Sequence, residues 1–140
     1  MDQIKVFIDS NVLFSIAYSG KEKSRSYLIY EIQDRGLITV YLSNLVCAEA
    51  VFNIRIKRSV SMPFLEELIG KSTILEDITD CLNNADVNRL PNNDRIILTT
   101  AVGNKMDCFL TGNDQDFGKL YSSKIGNTII LKPADFLNRN

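Results

Sequence analysis

The stretch Ile4-Lys5-Val6-Phe7-Ile8-Asp9-Ser10-Asn11 decides the fold of this 140-residue chain. A short apolar run ends abruptly in three polar residues, which is typical of a buried parallel strand that passes into a helix. Similar runs follow at residues 37–42, 107–111 and 127–131, and residues 73–75 form a weaker one. The pattern predicts a sheet built from strands that are far apart in the chain.

Amphipathic segments of helix length lie between these runs. They cover residues 11–18, 22–35, 44–57, 62–70, 79–86 and 93–105, with a weaker one at 116–122. Strands that alternate with helices predict a mostly parallel sheet covered on both faces. The length fits one α/β domain over residues 1–140, and no repeat or linker interrupts it.

The composition limits the chemistry that the chain can perform. With no histidine, imidazole cannot act as a general base or as part of a catalytic triad. The three cysteines, Cys47, Cys81 and Cys108, are too widely spaced for a zinc cluster, and we expect reduced thiols among apolar neighbours. Catalysis would therefore depend on carboxylates, hydroxyls, lysines or a hard metal ion.

Charge and hydropathy indicate the compartment and the partners. A formal net charge of -1 gives no overall attraction to nucleic acid, so the positive charge at any phosphate contact must be local or come from bound ions. Lys21, Lys23 and Arg25 follow the first helix and are candidate contacts to substrate phosphates. No apolar stretch approaches the ~20 residues of a membrane span. The N-terminal residues have a strand pattern instead of the pattern of a cleavable leader. We therefore expect a cytoplasmic protein.

Asp9 is the first candidate functional acid. In a parallel α/β sheet the functional crevice lies past the carboxyl ends of the strands, where the strand order reverses. Asp9 follows the first strand directly. Its simplest role is to cap the next helix, but Ser10 and Asn11 can each fill that role. The pattern favours a functional Asp9.

Glu49 is the second candidate. On a helical projection it shares a face with Leu45, Phe52 and Ile56, which we expect to meet the sheet. A lone carboxylate there costs several kcal/mol unless it is paired or bound to metal. Asn53, one turn later, is placed to orient it by a hydrogen bond. The alternative is that Glu49 lies at the edge of the apolar face and reaches solvent.

Further acids follow near the C-terminal half of the chain. Asp94 opens a helix, where a first-turn acid complements the helix dipole, but its face turns it toward the same crevice. Residues 113–116, Asn-Asp-Gln-Asp, follow the strand at 107–111 and are otherwise a plain turn with a helix cap. Carboxylates that converge from distant segments form a site for a hard cation.

Taken together, these motifs resemble the PIN-domain family of metal-dependent nucleases. Three stretches and Glu49 carry the resemblance: Phe7-Ile8-Asp9-Ser10-Asn11-Val12-Leu13, Asp94-Arg95-Ile96-Ile97-Leu98, and Leu110-Thr111-Gly112-Asn113-Asp114-Gln115-Asp116-Phe117. The last resembles the family's T-G-[ND]-x-x-[DH]-F segment. The resemblance implies a three-layer α/β/α domain with a parallel sheet of about five strands, the first and fourth adjacent at its centre.

The resemblance also implies an activity and a set of residues. It implies hydrolysis of RNA phosphodiester bonds with Mg²⁺ or Mn²⁺ as cofactor. The implied catalytic residues are Asp9, Glu49, Asp94 and Asp116. The same four, together with Asp114, are the implied metal ligands. Supporting roles fall to Ser10, Asn11, Asn53 and Asn113. The family's fourth acidic position aligns with Asn113, so Asp114 or Asp116 must supply its charge.

Small members of this family are often VapC-like ribonuclease toxins, so the resemblance implies an antitoxin partner and a homodimer. One alternative is a catalytically weak or inactive PIN-like subunit that binds or processes RNA. A further alternative is a phosphoacceptor or phosphatase, in which the first-strand Asp is a nucleophile. Such enzymes normally carry a second acid two residues on, where this chain has Asn11.

Overall fold

The computed structural model describes residues 3–139 as a sheet of six strands with helices around it. The strands are β1 Ile4–Ile8, β2 Ile38–Ser43, β3 Thr73–Leu75, β4 Cys108–Leu110, β5 Lys124–Ile125 and β6 Thr128–Leu131. The helices are α1 Ser10–Ser19, α2 Leu28–Asp34, α3 Asn44–Lys57, α4 Met62–Gly70, α5 Ala85–Asn88, α6 Asn92–Gly103, α7 Asp114–Phe117 and α8 Pro133–Asn138. Three single 3₁₀ turns lie at residues 25–27, 59–61 and 118–120.

The strand order is β3-β2-β1-β4-β6-β5, and every neighbouring pair is parallel except β5 with β6. The predicted α/β fold and the central pairing of the first strand with the fourth are therefore confirmed. Two elements were not predicted from the sequence: the two-residue strand β5, which turns back through Gly126 at φ +61°, and the last helix, α8.

The helices form a layer on each side of the sheet. Helices α1, α3 and α4 pack against one another on one face. The chain then crosses from β3 at the edge to β4 beyond β1, and a right-handed crossover in that direction places α6 on the opposite face. The strand order reverses between β1 and β4, so the crevice at their carboxyl ends lies at the centre of the molecule.

Stacked aromatic rings fix the two central strands to the segment that follows them. Phe7 of β1 and Phe109 of β4 stack with their ring centroids 5.6 Å apart, and Phe117 of α7 lies 5.3 Å from Phe109. All three side chains are fully buried. The short helix α7 is therefore anchored to the sheet directly beside the crevice.

The predicted inner face of α3 is wrong. Phe52 and Ile56 are 62% and 65% exposed, whereas Val46, Ala50 and Ile54 are fully buried. These three buried residues are spaced four apart and form one continuous row toward the neighbouring helices and the sheet. The argument that Glu49 lies among buried apolar side chains therefore fails, and its position needs another explanation.

The predicted helix at 79–86 is also wrong, because residues 76–84 are irregular and α5 begins only at Ala85. Side-chain hydroxyls of α6 accept hydrogen bonds from backbone amides of this segment. The Thr100 hydroxyl accepts from the Ile78 amide at 2.9 Å, and the Thr99 hydroxyl accepts from the Leu82 amide at 3.3 Å. Backbone donors that bond to another element have no need of a helix.

The remaining sequence predictions concern cysteines and membranes. The three cysteines are free thiols, and burial raises the pKa of Cys47 and of Cys108 to about 11. Thiols with a raised pKa are poor nucleophiles at neutral pH. Across residues 3–139, every helix is too short or too polar to cross a bilayer.

Substitutions of Phe109, which is buried, and Phe52, which is exposed, test the packing of the core and the orientation of α3. We expect Phe109→Ala to lower the free energy of unfolding by about 3–5 kcal/mol, because it leaves a cavity between Phe7 and Phe117. We expect Phe52→Ala to change it by less than ~0.5 kcal/mol, because that ring is 62% exposed. Urea unfolding followed by circular dichroism measures both. A large loss for Phe52→Ala would contradict the observed orientation of α3.

Candidate functional site

Asp9 lies at the junction of the two central strands. Its amide donates to the Leu110 carbonyl at 2.9 Å and so continues the ladder between β1 and β4. Its side chain is only 2% exposed and accepts three hydrogen bonds. The donors are the Ser10 amide at 2.8 Å, Asn11 Nδ2 at 3.1 Å and Thr111 Oγ1 at 2.8 Å. Asp9 therefore caps α1 and also faces the crevice.

Burial raises the pKa of the Asp9 carboxyl from its ordinary value of 3.8 to about 6. The hydrogen bonds from Thr111 and Ser10 oppose this shift because they stabilise the anion, and the negative charge of Glu49 adds to it. At neutral pH the structure thus holds a largely ionised carboxylate in a place with little water, which favours a cation as its neighbour.

Glu49 bridges three helices at the crevice. Its Oε1 accepts from Ser10 Oγ of α1 at 2.7 Å, and its Oε2 accepts from Asn93 Nδ2 of α6 at 3.2 Å. Asn53 lines the same 470 Å³ cavity as Glu49. Within residues 3–139, however, no hydrogen bond joins Asn53 to Glu49. The prediction that Asn53 orients this carboxylate is wrong, because Ser10 and Asn93 orient it instead.

Asp94 projects from the first turn of α6 toward the other acids. Its pKa rises from 3.8 to about 7. Burial is the main cause, followed by the charge of Asp9, a hydrogen bond to Asp116, and the charges of Asp116 and Glu49. Asp9, Glu49, Asp94 and Asp116 therefore lie close enough to repel one another. Their convergence from β1, α3, α6 and α7 is what the sequence predicted.

The structure separates Asp116 from Asp114. Asn113 caps α7, and its Nδ2 donates to Asp116 Oδ2 at 2.9 Å, so Asn113 orients Asp116 rather than replacing it. Asp114 Oδ1 instead accepts from the Tyr121 hydroxyl at 2.8 Å and lies 3.6 Å from Lys132 Nζ. Asp116 thus faces the acidic group, and Asp114 belongs to a separate polar cluster.

Sequence reasoning missed two residues that shape this group, Thr111 and Asn93. Thr111 is fully buried and donates to Asp9, and Asn93 donates to Glu49. A hydroxyl at the carboxyl end of the second central strand is a usable signal for Thr111, because it must face the end of the first strand. For Asn93 the sequence carries no comparable signal, since its contact depends on how α3 and α6 meet.

The cations predicted to hold substrate phosphates lie elsewhere. Lys21, Lys23 and Arg25 follow α1, and a ten-residue helix places them about 15 Å along its axis from Asp9. Lys21 Nζ is 3.0 Å from a Glu67 carboxylate oxygen of α4, and Arg25 donates to Asn138 at 2.6 Å. The prediction that they lie beside the crevice is wrong, because α1 carries the chain away from it.

The donor set can be compared with what metal ions require. Among the described residues, no three acidic or cysteine side chains approach closely enough to form a ready-made metal cage. Four carboxylates that interact through their charges nevertheless provide hard oxygen donors around one space. Such spacing fits an ion that keeps several of its own waters, as Mg²⁺ does, and fits poorly an ion enclosed entirely by protein.

The arrangement of the sheet and helices defines the class of fold. A central parallel sheet with β1 beside β4 and helices on both faces is a PIN-like α/β/α fold, and it is similar to solved VapBC structures. No protein-family model matches the chain, and neither does any curated protein sequence. The fold is therefore recognised from structure.

Two solved structures show this likeness. One is the structure of VapBC2 from Rickettsia felis bound to a DNA fragment from the VapBC2 promoter. The match has a TM-score of 0.63 at 16% identity, and it covers 92% of this chain and 98% of the Rickettsia chain. The other is VapBC-1 from nontypeable Haemophilus influenzae, with a TM-score of 0.58 at 16% identity over 94% and 99% of the two chains. At this identity the likeness establishes the fold.

A pair of buried threonines tests how Asp9 is held. Thr111→Val removes a hydrogen bond that lowers the pKa of Asp9, so we expect Mn²⁺ to bind roughly 10-fold more weakly at pH 6.5. Calorimetric titration with Mn²⁺ measures this. Thr128→Val is the matched control, because its equally buried hydroxyl donates to the Met106 carbonyl at the opposite edge.

Both threonine variants should lose about 1–3 kcal/mol of stability, because each leaves a buried polar partner unsatisfied. Only Thr111→Val should weaken Mn²⁺ binding, and raising the pH to 8 should recover most of the affinity, since Asp9 is then ionised again. Equal Mn²⁺ affinity in the two variants would show that the Thr111 hydroxyl does not tune Asp9.

The raised pKa of Asp94 predicts how stability depends on pH. The folded protein holds a proton on Asp94 up to about pH 7, whereas the unfolded chain loses it near 3.8. Between these values the folded state binds more protons, so the free energy of unfolding falls as the pH rises and stays lower above pH 7. In EDTA, Asp94→Asn should therefore be more stable than the wild type at pH 8.

Urea unfolding at pH 5, 6.5 and 8 checks this prediction. The advantage of Asp94→Asn should grow across this range, because it removes a charge that repels Asp9. Asp80→Asn, which neutralises an exposed acid in the irregular segment, should leave the wild-type pH profile unchanged. If the unfolding free energy of Asp94→Asn depended on pH in the same way as that of the wild type, the acids would not repel one another.

Proposed function

We propose that this chain is a metal-dependent endoribonuclease that acts as the toxin of a toxin-antitoxin pair. The observation that carries the proposal is the acidic group at the carboxyl ends of β1 and β4, in which burial and mutual repulsion raise the pKa of both Asp9 and Asp94. Such an arrangement costs stability in the free protein, which is typical of a site built to bind a divalent cation.

In this proposal, each acid has a role that follows from its contacts. Asp9 is the central ligand, since Ser10, Asn11 and Thr111 fix both of its oxygens. Glu49 and Asp94 complete the set of metal ligands or hold metal-bound waters, and Asp116 flanks these ligands. Ser10 and Asn93 orient Glu49, and Asn113 orients Asp116.

Mg²⁺ or Mn²⁺ bound there would lower the pKa of a water molecule and stabilise negative charge on a phosphodiester. The carboxylates would keep the ion in place and accept hydrogen bonds from its waters. Since the chain has no histidine, these acids would also have to receive the proton that the attacking water releases.

We also propose a protein partner in a cytoplasmic setting. The two solved structures described above are both of VapBC, which supports an antitoxin as that partner. The chain itself exposes Phe52 and Ile56 on α3, and paired apolar side chains of this size often lie under a partner. These residues lie on the helix that carries Glu49, so a protein bound there would also cover one edge of the acidic group. The proposal also includes a homodimer, as the family resemblance implies.

The alternative is a PIN-like subunit that binds or processes RNA without cutting it efficiently. An ion held by an incomplete set of protein ligands is bound more weakly than one in a closed cage, and within residues 3–139 no three acidic or cysteine side chains form such a cage, which supports this alternative. Metal-dependent cleavage distinguishes the two functions.

Incubation of purified protein with end-labelled RNA tests the proposal. Cleavage should occur with Mn²⁺ or Mg²⁺ and stop in EDTA. Asp9→Asn and Asp94→Asn should each lower the rate by roughly 100-fold or more, because each removes a metal-binding oxygen. Asp80→Asn is the control, since it removes an equal charge from an exposed position and should cleave like the wild type.

Cleavage that persists in EDTA or in Asp9→Asn would refute the metal mechanism. A wild-type protein that binds RNA but leaves it intact with every divalent ion would favour the non-cleaving subunit. Calorimetry of Mn²⁺ binding to the same variants then shows whether the acids hold an ion at all.

A further inference from the structure

The polar cluster that contains Asp114 is completed by Tyr121 and Lys132. The Tyr121 hydroxyl lies 2.8 Å from Asp114 Oδ1 and 3.2 Å from the Thr111 carbonyl oxygen, and it shares its one proton between these acceptors. Lys132 Nζ lies 3.6 Å from Asp114 Oδ1 and 5.2 Å from the centre of the Tyr121 ring. The phenol therefore joins the residue that follows β4 to the first residue of α7.

Both residues that Tyr121 contacts are connected to the acidic group. Thr111 donates from its hydroxyl to Asp9 Oδ2 at 2.8 Å, so Tyr121 holds the backbone of the residue whose side chain holds Asp9. Asp114 begins the short helix that carries Asp116. A displacement of Thr111 or of Asp114 would therefore move one of the carboxylates.

The helix α7 is too short to fix its own position. It has four residues, which is about a single helical turn. The buried ring of Phe117 fixes its C-terminal end against Phe109. At its N-terminal end, Asp114 and Gln115 are exposed. The contact with Tyr121 anchors this exposed end, from which Asp116 follows.

The backbone around Tyr121 is itself held by the sheet and the core. Leu120, before it, is 6% exposed. Ser122, after it, has φ +67°, and its amide donates to the Ile130 carbonyl of β6 at 2.7 Å. Positive φ is uncommon for a serine, and such a conformation persists where the surrounding contacts impose it. Tyr121 is thus presented to Asp114 from a fixed position.

We propose that Tyr121 is a positioning residue of the acidic group, and that Asp114 acts through Tyr121 and not as a metal ligand. This inference rests on the proposed metal-dependent function. The phenol holds the Thr111 carbonyl and the start of α7 together, and in this way sets where Asp116 lies relative to Asp9. Lys132 lies against Asp114 and offsets part of its charge.

Two tyrosine variants test the role of the phenol. Tyr121→Phe removes the hydroxyl from the polar cluster. Tyr30→Phe is the matched control, because the buried Tyr30 hydroxyl lies 2.9 Å from Ser72 Oγ, just before β3 and so at the opposite edge of the parallel sheet from the acids. Calorimetric titration measures Mn²⁺ affinity, urea unfolding in EDTA measures stability, and cleavage of end-labelled RNA gives kcat and KM.

Both tyrosine variants should unfold at a lower urea concentration than the wild type, since each loses a hydrogen bond. Tyr121→Phe should bind Mn²⁺ about 10-fold more weakly and, at saturating Mn²⁺, lower kcat by a similar factor with KM within about two-fold, because it displaces the acids. Tyr30→Phe should bind Mn²⁺ and cleave RNA like the wild type.

Variants of Asp114 distinguish positioning from direct binding of metal. Asp114→Asn keeps an oxygen that accepts from the phenol, so its Mn²⁺ affinity should stay within about two-fold of the wild type. Asp114→Ala removes this acceptor and should weaken Mn²⁺ binding. Adding Asp114→Ala to Tyr121→Phe should change the affinity little further, because both changes break the same contact.

Hydrogen exchange measures the position of α7 without metal or RNA. In EDTA, the amides of residues 113–117 should exchange faster in Tyr121→Phe than in the wild type, and at the wild-type rate in Tyr30→Phe. This comparison shows directly whether the phenol anchors the segment that carries Asp116.

Other outcomes would overturn the positioning role. Wild-type Mn²⁺ affinity and kcat in Tyr121→Phe would exclude it, and so would equal changes in the two tyrosine variants, since lost stability alone would then explain them. A loss of more than about 10-fold in Asp114→Asn would show that Asp114 binds the ion itself. If the wild type neither binds Mn²⁺ nor cleaves RNA, the proposed function fails, while the exchange rates still decide whether Tyr121 anchors α7.

Discussion

The structure depends on a buried carboxylate between its two central strands. Asp9 is 2% exposed, and its amide belongs to the same strand ladder as the core residues before it. A charge in that position is tolerable only because Thr111, Asn11 and the Ser10 amide all donate to it. Four of the groups at the carboxyl edge of the sheet are therefore fixed relative to one another.

The other acids are brought to Asp9 by elements from both layers of helices. Glu49 comes from α3 on one face, and Asp94 comes from α6 on the other. The Asn93 side chain joins them, because it precedes Asp94 on α6 and donates to Glu49. The acidic group is thus a property of the three-layer arrangement, since neither layer contains it alone.

Sequence reasoning was most successful where periodicity and the strand-end rule act together. The resemblance to the PIN-domain family implied the central pairing of β1 with β4. The convergence of Asp9 and Asp94 then follows from where each acid stands, after a strand or at the start of a helix. Sequence reasoning failed where the result depends on packing between helices. Glu49 was placed correctly for the wrong reason, because Phe52 and Ile56 on its face are exposed and the contacts that hold it come from Ser10 and Asn93.

Other errors have equally specific causes. The segment at 79–86 has helical periodicity, but hydroxyls of α6 accept hydrogen bonds from the amides of Ile78, just before it, and Leu82, within it, and this pairing holds the segment irregular. A row of basic residues after α1 looked like a phosphate site, yet the direction of α1 removes it from the crevice. Local sequence patterns do not show which tertiary partner accepts a hydrogen bond from a backbone amide. They also do not show how far from the crevice a helix ends.

Asn11 gives the acidic group a property that carboxylates alone could not provide. Its Nδ2 donates to both Asp9 and Thr111, and its Oδ1 accepts from the Gly112 amide at 2.8 Å. An amide neither gains nor loses a proton in the physiological range, so this brace across the strands keeps the same polarity whatever occupies the cleft. The link between the two strand ends is therefore independent of the protonation of the acids beside it.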